Sequence, residues 1–271
     1  MLSIKQAFVY TSLGRIPFGV CRCICECFLF FVGGYFMSEK FKGYFSKAEI
    51  ILWLSSVMLI VVSFCIFDGK GFGTLSASLI GVTAIIFNAK GNPFGQLLMV
   101  IFSIIYGVIS FSFSYYGEMI TYLGMTMPMA VFALISWLKN PYNGNRSEFR
   151  VNSVGKKEVL LMSVAAIVVT FVFYFILKIF NTANIVPSTI SVTTSFLAVY
   201  LTFRRSPAFS LAYAANDIVL IILWSLASME DPRYISVTVC FAAFLANDIY
   251  AFISWQKMKK RQLQSSAQTT V

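Results

Sequence analysis

The chain has 271 residues, of which 58% are hydrophobic and only 12% are charged. A soluble domain has about a quarter of its residues charged, so this composition excludes an ordinary soluble protein and predicts an integral helical membrane protein. The net charge of +10 is expected to set the orientation in the bilayer and to favour anionic lipid, not nucleic acid.

The first 49 residues form a basic, aromatic arm. Its apolar run at residues 16–36 is interrupted by Arg22 and Glu26, which favours an interfacial or half-buried helix over a span. No small-residue cleavage site of the signal-peptide kind is present, so we expect the arm to be retained. Four of the six cysteines fall within Cys21–Cys27, at a spacing that matches no usual zinc pattern. Packing, or lipidation near the membrane, is the simpler interpretation, and no metal or cofactor is predicted.

Eight apolar segments of spanning length follow the arm. They are predicted at residues 50–67, 74–87, 94–114, 119–138, 159–180, 187–203, 208–227 and 234–255. Turn-forming sequences that begin at Asp68, Gly91 and Asp231 separate several of them. The residues from 256 to 271 form a basic tail.

The basic residues predict the orientation of these spans. With the N-terminus in the cytoplasm, roughly 18 of the 21 lysines and arginines fall on the cytoplasmic side, and only Lys70, Lys178 and Arg233 lie outside. Adding or deleting one span in the middle would destroy this bias. Both termini are therefore predicted to be cytoplasmic.

A short repeat predicts internal symmetry. The fourth span ends in Ile135-Ser136-Trp137 and the eighth in Ile253-Ser254-Trp255, each closely followed by lysine. Aligning the two tripeptides pairs a first three-helix bundle, residues 74–138, with a second, residues 187–255. The helix at 159–180 becomes a linker, and the span at 50–67 is an extra one. Such a parallel repeat usually holds its substrate between the halves near the midplane.

Two polar triplets are the strongest candidates for a site. Ala215-Asn216-Asp217 and Ala246-Asn247-Asp248 place the only carboxylates that lie deep inside the predicted spans. Buried charges of this kind usually face a protein-lined cavity. Asn216 and Asn247 each offer donors and an acceptor to a ribose or an amide, or they join neighbouring helices. Asp217 and Asp248 could pair with a cationic substrate, cycle protons, or bond to neighbouring spans.

Aromatic residues within the spans could stack on a flat heteroaromatic ring. Tyr106, Tyr213 and Trp224 are the candidates, and a cationic ring would gain a cation–π term. Trp137 and Trp255 end spans beside lysine and are predicted to anchor at the membrane interface. Glu118 opens the fourth span, where an acid suits a helix N-terminus. The sequence contains no nucleophile–base constellation, no phosphate-binding glycine loop and no histidine, so an enzyme is not predicted.

Taken in order, these residues resemble the PnuC family of nicotinamide riboside transporters over about residues 50–261. The resemblance is carried by Gly95-Gln96, Tyr106, Tyr116-Gly117-Glu118, Pro128, Ile135-Ser136-Trp137, Arg204-Arg205, Asn216, Leu223-Trp224, Asn247, Tyr250 and Trp255. It implies a 3+1+3 core like that of the SWEET sugar transporters, often assembled as a trimer. It also implies facilitated diffusion of a vitamin-like nucleoside through a bacterial inner membrane, with trapping by a cytoplasmic kinase.

The resemblance further implies a site of amide and tryptophan side chains, which would include Gln96, Asn216 and Asn247. Two departures bear on the substrate. The approach to Asn216 reads Phe209-Ser210-Leu211-Ala212-Tyr213 where members that take nicotinamide riboside have tryptophans, and an aspartate follows each asparagine. Thiamin, riboflavin and deoxynucleosides, which relatives are thought to carry, therefore stay open as substrates.

The sequence thus predicts an uptake facilitator for nicotinamide riboside or a close analogue. Its predicted substrate-binding residues are Gln96, Tyr106, Tyr213, Asn216, Asp217, Trp224, Asn247, Asp248 and Tyr250. Two alternatives remain at this point: a proton-coupled carrier that uses Asp217 and Asp248, and a membrane subunit that binds substrate without transporting it.

Overall fold

The computed structural model describes residues 44–69, 71–112, 115–182 and 184–268. The helix predicted in the basic arm and the cysteine cluster lie outside these residues. The described helices are α1 (Lys47–Phe67), α2 (Phe72–Ala89), α3 (Phe94–Ser112), α4 (Tyr116–Thr121), α5 (Met127–Lys139), α6 (Lys156–Ile179), α7 (Ile185–Phe203), α8 (Phe209–Ser228) and α9 (Ile235–Gln268). A π-helical turn (Tyr122–Thr126) joins α4 to α5, a 3₁₀ turn (Pro232–Tyr234) precedes α9, and the strands β1 (Pro141–Tyr142) and β2 (Asn145–Phe149) pair as an antiparallel hairpin.

Eight helical stretches among the described residues are long and apolar enough to cross a membrane. This confirms the predicted all-helical fold with eight spans. Most of the predicted span boundaries are off by a few residues. Helix α1 begins at Lys47, the residues after Lys139 form the hairpin, and the predicted tail continues α9 as far as Gln268.

The early start of α1 and the late end of α9 have local causes. Ser46 Oγ accepts a hydrogen bond from the Glu49 backbone N–H (3.2 Å), and Glu49 accepts one from the Ser46 N–H (2.7 Å), which makes a capping box. After Trp255 the chain contains lysine, arginine and glutamine but no glycine or proline. These residues favour helix, so α9 continues beyond the apolar segment.

The spans pack around α2, α7, α8 and α9. Helix α9 lies between α8 and α2 and also contacts α1, while α3 packs along α2 and α5, and α7 along α8 and α6. Helix α6 is the least buried of the spans. We call the side of the bundle where α2, α5 and α7 end the basic end, because Lys90, Lys139 and Arg204 lie there.

Close contact between α2 and α3 depends on Gly95. A Cβ at this position would fall 2.7 Å from the backbone nitrogen of Asn88 and 2.8 Å from the carbonyl oxygen of Ala84. Both are backbone atoms that cannot rotate away. The glycine therefore lets α3 approach α2 at the level of Asn88, which lines the cavity described below.

The two serine–tryptophan pairs make reciprocal contacts at the basic end. Trp137 Nε1 donates to the Thr202 carbonyl (3.0 Å) and Ser136 Oγ to the Phe203 carbonyl (3.1 Å), at the end of α7. In turn Trp255 Nε1 donates to the Asn88 carbonyl (2.8 Å) and Ser254 Oγ to the Ala89 carbonyl (2.7 Å), at the end of α2.

These contacts correct the prediction that the two tryptophans anchor at the membrane interface. Trp137 is 1% exposed and Trp255 is 0% exposed, so neither reaches lipid headgroups. Instead, each donates a second hydrogen bond to a carbonyl at the end of a helix, which also accepts a backbone N–H from the following turn (Gly91 to Asn88 at 2.9 Å, Arg205 to Thr202 at 3.0 Å).

Candidate functional site

A small cavity, lined by polar and apolar side chains together, lies between α2, α3, the π-helical turn, α7, α8 and α9. It is lined by Ile85, Asn88, Met99, Phe102, Tyr122, Thr126, Ser195, Phe209, Tyr213, Asn216, Asp217, Phe241, Phe244 and Asp248. Its volume is about 30 Å³, which is room for about one water molecule. Ligand pockets measure roughly 300–1,000 Å³, so this structure has no room for such a ligand, and we call it the closed form.

Two carboxyl groups lie in the cavity wall. Asp217 on α8 and Asp248 on α9 both line the cavity. They are 3% and 4% exposed, and Asp217 Oδ2 has no hydrogen-bond partner among the described residues. The cavity wall therefore carries two buried carboxyl groups, and one of them has an oxygen free for a ligand.

Asn216 presents its amide to the cavity in a fixed orientation. Its Oδ1 accepts hydrogen bonds from Thr194 Oγ1 (2.8 Å), Ser195 Oγ (3.0 Å) and Ser191 Oγ (3.4 Å), all on α7. Because these hydroxyls occupy the oxygen, the unused capacity of the side chain is the pair of donors on its NH₂ group. The site can therefore offer donors from α8 to a ligand oxygen.

Of the two predicted residues Tyr213 and Gln96, only Tyr213 reaches the cavity. Tyr213, one turn before Asn216 and Asp217, lines the cavity directly. Gln96 lies behind the wall: its Nε2 donates to Asn88 Oδ1 (2.9 Å), and Asn88 is the residue that reaches the cavity. Gln96 thus positions an amide that the sequence did not single out.

The π-helical turn brings Tyr122 and Thr126 to the cavity. The amide of Met127 bonds to the carbonyl of Tyr122, five residues back, where an α-helix would use the fourth. Pro128 follows directly and has no N–H to continue the α-helical pattern. Thr126 Oγ1 has no hydrogen-bond partner among the described residues. Single π turns are often found at functional sites.

Aromatic clusters close the cavity towards both faces of the bundle. Away from the basic end, Trp224 Nε1 donates to Tyr106 OH (3.0 Å). Tyr106 also contacts Tyr122, with ring centroids 4.4 Å apart, and Tyr115 contacts Trp224 at 4.8 Å. Tyr106 and Trp224 were predicted to stack on a substrate ring. In this structure they hydrogen-bond to each other and do not line the cavity, whereas Tyr122 does. We call Tyr106, Tyr115, Tyr122 and Trp224 the distal cluster.

Towards the basic end, the corresponding cluster consists of Trp137, Phe149, Phe209 and Trp255. Phe209 lines the cavity and lies 4.2 Å from Trp255, centroid to centroid. Phe149, the last residue of β2, packs against both tryptophans, with ring centroids 4.3 Å from Trp137 and 4.7 Å from Trp255. We call these four residues the basal cluster.

Asn247 and Tyr250 face α1 and do not line the cavity. Asn247 Nδ2 donates to Ser56 Oγ (2.8 Å), and Tyr250 OH donates to Glu49 Oε1 (3.0 Å). Glu49 also pairs with Lys90 Nζ at 3.3 Å. The predicted site residues thus divide: Tyr213, Asn216, Asp217 and Asp248 come together at the cavity, whereas Gln96, Tyr106, Trp224, Asn247 and Tyr250 surround it or face α1.

Glu118 differs from its predicted role as a helix-capping acid. It lies in the first turn of α4, but it is 1% exposed and its Oε1 accepts a hydrogen bond from Ser191 Oγ (3.3 Å). Ser191 Oγ also lies 3.4 Å from Asn216 Oδ1, so its one proton can be donated to either acceptor. A chain of polar groups therefore runs from Glu118 to the cavity wall.

Comparison with known proteins decides the family. The sequence profile of the family described as "Nicotinamide mononucleotide transporter" matches residues 72–257. The chain belongs to this family. All the cavity-lining residues fall within the matched range, whereas α1 precedes it.

Individual members of the family support this assignment. The nicotinamide riboside transporter PnuC of Neisseria mucosa is 23% identical over 214 residues, 78% of this chain and 81% of that protein. PnuC of Haemophilus influenzae is 20% identical over 226 residues, 83% of this chain and 96% of that protein. A crystal structure of the vitamin B3 transporter PnuC superposes with a TM-score of 0.71 at 22% identity, covering 80% of this chain and 94% of that one.

The chain is accordingly a multi-pass membrane transporter of the PnuC family, and its relatives are named as transporters, not as enzymes.

The cavity residues that the sequence analysis missed are mostly hydroxyl and aromatic groups. One signal could have found part of them. Ser188, Ser191, Ser195 and Thr202 recur at helical spacing along one buried face of α7.

Proposed function

We propose that this transporter mediates uptake of nicotinamide riboside or a close analogue by facilitated diffusion. The observation that carries the proposal is the closed cavity between α2, α3, the π-helical turn, α7, α8 and α9. It combines the amides of Asn88 and Asn216, two carboxyl groups and several aromatic rings. A flat ring joined to a ribose needs this mixture of hydrogen-bonding and stacking partners.

We propose that substrate contacts Asn88, Tyr213, Asn216, Asp217 and Asp248, with Gln96 holding Asn88. Direct contact with Tyr106 or Trp224 requires the distal cluster to separate. Contact with Asn247 or Tyr250 requires their side chains to release the hydrogen bonds to α1. Substrate contact by these two residues stays a prediction. Since the cavity is far smaller than a riboside, binding has to widen it.

The two aromatic clusters support alternating access. Opening the distal cluster would admit substrate from one side, and opening the basal cluster would release it on the other. The reciprocal serine–tryptophan contacts fit a 3+1+3 arrangement, because each three-helix bundle binds the end of the first helix of the other. By the positive-inside rule the basic end and both termini are cytoplasmic, in a bacterial inner membrane.

Facilitated diffusion accumulates substrate only if the substrate is consumed inside, so we propose that a cytoplasmic kinase traps it as a phosphate ester.

For the assembly we propose a homotrimer. Cross-linking in native membrane tests the trimer, and a dimeric or monomeric product contradicts it.

Uptake of radiolabelled nicotinamide riboside into liposomes that contain the purified full chain tests the function. We expect saturable uptake, and about a 100-fold loss in Asn216→Ala, since buried polar recognition groups discriminate strongly. Gln264→Ala removes an exposed amide and is the matched control. Binding without flux in the wild type would favour a non-transporting subunit instead.

A proton-coupled carrier is the second candidate, because two buried carboxyl groups, those of Asp217 and Asp248, line the cavity. The two candidates separate when the membrane potential is clamped and a pH gradient is imposed across the liposomes. A facilitator is indifferent to the gradient, whereas a proton-coupled carrier accumulates substrate against its concentration.

A further inference from the structure

The turn between α7 and α8 carries an arginine with unsatisfied donors. Two nitrogens of the Arg205 guanidinium group, Nε and Nη1, are buried and have no hydrogen-bond partner among the described residues. Its neighbour differs, because Arg204 Nη2 donates to Glu158 Oε2 at 3.0 Å and the two side chains form an ion pair. Burying part of a guanidinium group is costly unless an acceptor or an opposite charge offsets it.

Arg205 also occupies a backbone position at which arginine is unusual. Helix α7 ends with the Arg205 N–H bonded to the Thr202 carbonyl (3.0 Å) and the Ser206 N–H bonded to the Leu201 carbonyl (3.0 Å). This closing motif places Arg205 in the left-handed region, with φ at +57°, where glycine is the usual residue. The chain thus holds a long cationic side chain at a position that glycine would fill with less strain.

A second arginine lies on the hairpin side of the same turn. The Asn152 N–H donates to the Arg205 carbonyl at 3.0 Å, which holds the chain just after β2 beside the turn. Arg150, two residues earlier, is exposed. Burial lowers the pKa of Arg205, and the nearby charges of Arg204 and Arg150 lower it further. Neither Arg205 nor Arg150 has an ion-pair partner in the described part of the chain, so their repulsion is uncompensated.

An oxyanion would satisfy both arginines at once. The guanidinium fork binds phosphate oxygens through two parallel N–H donors, and one phosphate between two arginines replaces their repulsion by two attractions. Arg205 as a whole is partly exposed, so a ligand can reach it from the surface. The positive end of α8, which begins at Phe209 without a side-chain cap, adds to the same potential.

We propose that Arg205 and Arg150 form a binding site for a phosphate group at the basic end of the transporter. The turn joins the ends of two spans, so it lies near the membrane surface. Two sources of phosphate meet there: the headgroup of an anionic phospholipid and a soluble phosphate ester. The site is separate from the cavity, which neither arginine lines.

The position of this site connects it with the basal cluster. Arg150 directly follows Phe149, and Arg205 precedes Phe209 by four residues. A phosphate bound to both arginines therefore joins the two elements that carry these rings.

Thermal unfolding of the purified, delipidated full chain in a neutral detergent tests the site with two probes. One is phosphatidylglycerol, compared with diacylglycerol, which lacks the phosphate. The other is sodium phosphate, compared with sodium chloride at equal ionic strength. We expect at least one probe to raise the melting temperature above its comparison compound, because a ligand of the folded form stabilises it. Stabilisation by the lipid alone assigns a headgroup, and stabilisation by the salt alone assigns a soluble phosphate.

Substitutions then locate the binding. The half-maximal concentration of the effective probe should rise about tenfold in Arg150→Gln and in Arg205→Gly, whose backbone suits the left-handed position. Arg205→Lys should also weaken binding, since an ammonium group replaces the fork. Arg146→Gln removes an exposed arginine from the same hairpin and is the matched control, with unchanged affinity. The melting temperature without probe shows whether each variant is folded.

Three results would overturn the inference. The first is that neither probe stabilises the wild type beyond its comparison compound. The second is an equal loss in Arg146→Gln and Arg205→Gly, which would show a response to surface charge in general. The third is wild-type affinity in Arg205→Lys, because Nε and Nη1 would then not be the donors. Each of these results leaves the proposed transport function in place, since that function depends on the cavity.

Discussion

At the scale of single residues, rotation about the helix axis decides which predicted groups reach the cavity. Successive residues on an α-helix are about 100° apart. On α8 the cavity falls between Asn216 and Asp217, so both line it. On α9 the cavity face is Phe241, Phe244 and Asp248, and Asn247 points to α1. The same triplet therefore contributes two groups on one helix and one on the other.

Glu49 supports α1 through three partners, Ser46, Lys90 and Tyr250. Replacing it in Glu49→Gln removes the charge but keeps the shape, and we expect a loss of about 1–3 kcal/mol because charged hydrogen bonds are weakened in a buried position. The apparent melting temperature of the purified protein should fall by several degrees. Glu230→Gln is the control, and an unchanged melting temperature for both variants would contradict the role given to Glu49.

Sequence reasoning found the buried carboxylates because charges are rare within spans. It could not find Asn88 or Thr126 in the same way. One asparagine or threonine in an apolar segment has many uses, and only the position of neighbouring helices shows which one faces a cavity. Gln96 illustrates the difference, since its residue type pointed to substrate while its side chain bonds to Asn88.

At the scale of elements, the π-helical turn is the least regular part of the site. Pro128→Ala restores an N–H, which allows the helix to relax towards α geometry and would rotate Tyr122 and Thr126 away from the cavity. We expect riboside uptake to fall about tenfold or more while the melting temperature stays the same or rises. Pro187→Ala, in the first turn of α7, is the matched control. Unchanged uptake in Pro128→Ala would show that the turn does not shape the site.

The hairpin closes the basic end through Phe149. Phe149→Ala should cost about 3–5 kcal/mol, since it empties a fully buried position against two tryptophans. Phe132→Ala removes a ring that is exposed on the membrane side of α5 and should cost far less. Thermal unfolding compares the two variants. Equal losses would mean that the basal cluster does not depend on the hairpin.

The number and type of the membrane elements followed from the sequence because each span needs a long apolar run. The hairpin did not, since its strands of two and five residues are too short for an alternating pattern to be recognised. What stabilises the hairpin is distant in sequence. Gln262 on α9 accepts a hydrogen bond from the Val151 N–H (2.9 Å) and donates to the Phe149 carbonyl (3.0 Å).

At the scale of the whole molecule, the alternating access proposed above requires the basic end to separate. Ser254 Oγ lies 2.7 Å from the Ala89 carbonyl oxygen, so cysteines at 89 and 254 would be neighbours. We expect oxidation of the double variant Ala89→Cys, Ser254→Cys to block liposome uptake and reduction to restore it. Each single variant, oxidised in parallel, is the control. Full uptake by the cross-linked protein would contradict an opening at this end.

The overall architecture was predicted better than the interior. Hydropathy and charge bias yielded eight spans, and the repeated Ile-Ser-Trp marked two places that take part in equivalent contacts. The sequence assigned these tryptophans to the membrane interface, because a tryptophan beside lysine at the end of a span is typical of that location. Only the packed structure shows that each one reaches the other bundle.

The reciprocal serine–tryptophan contacts also have a consequence for biosynthesis. The carbonyl groups of Asn88 and Ala89 are made early, but the side chains that bind them, on Ser254 and Trp255, leave the ribosome more than 160 residues later. Until then the first half lacks these two side-chain donors, and the Asn88 carbonyl is left with the backbone hydrogen bond from the Gly91 N–H (2.9 Å). Completion of the protein is thus coupled to translation of its last span, and a chain that stops short of Ser254 lacks the groups that complete α2.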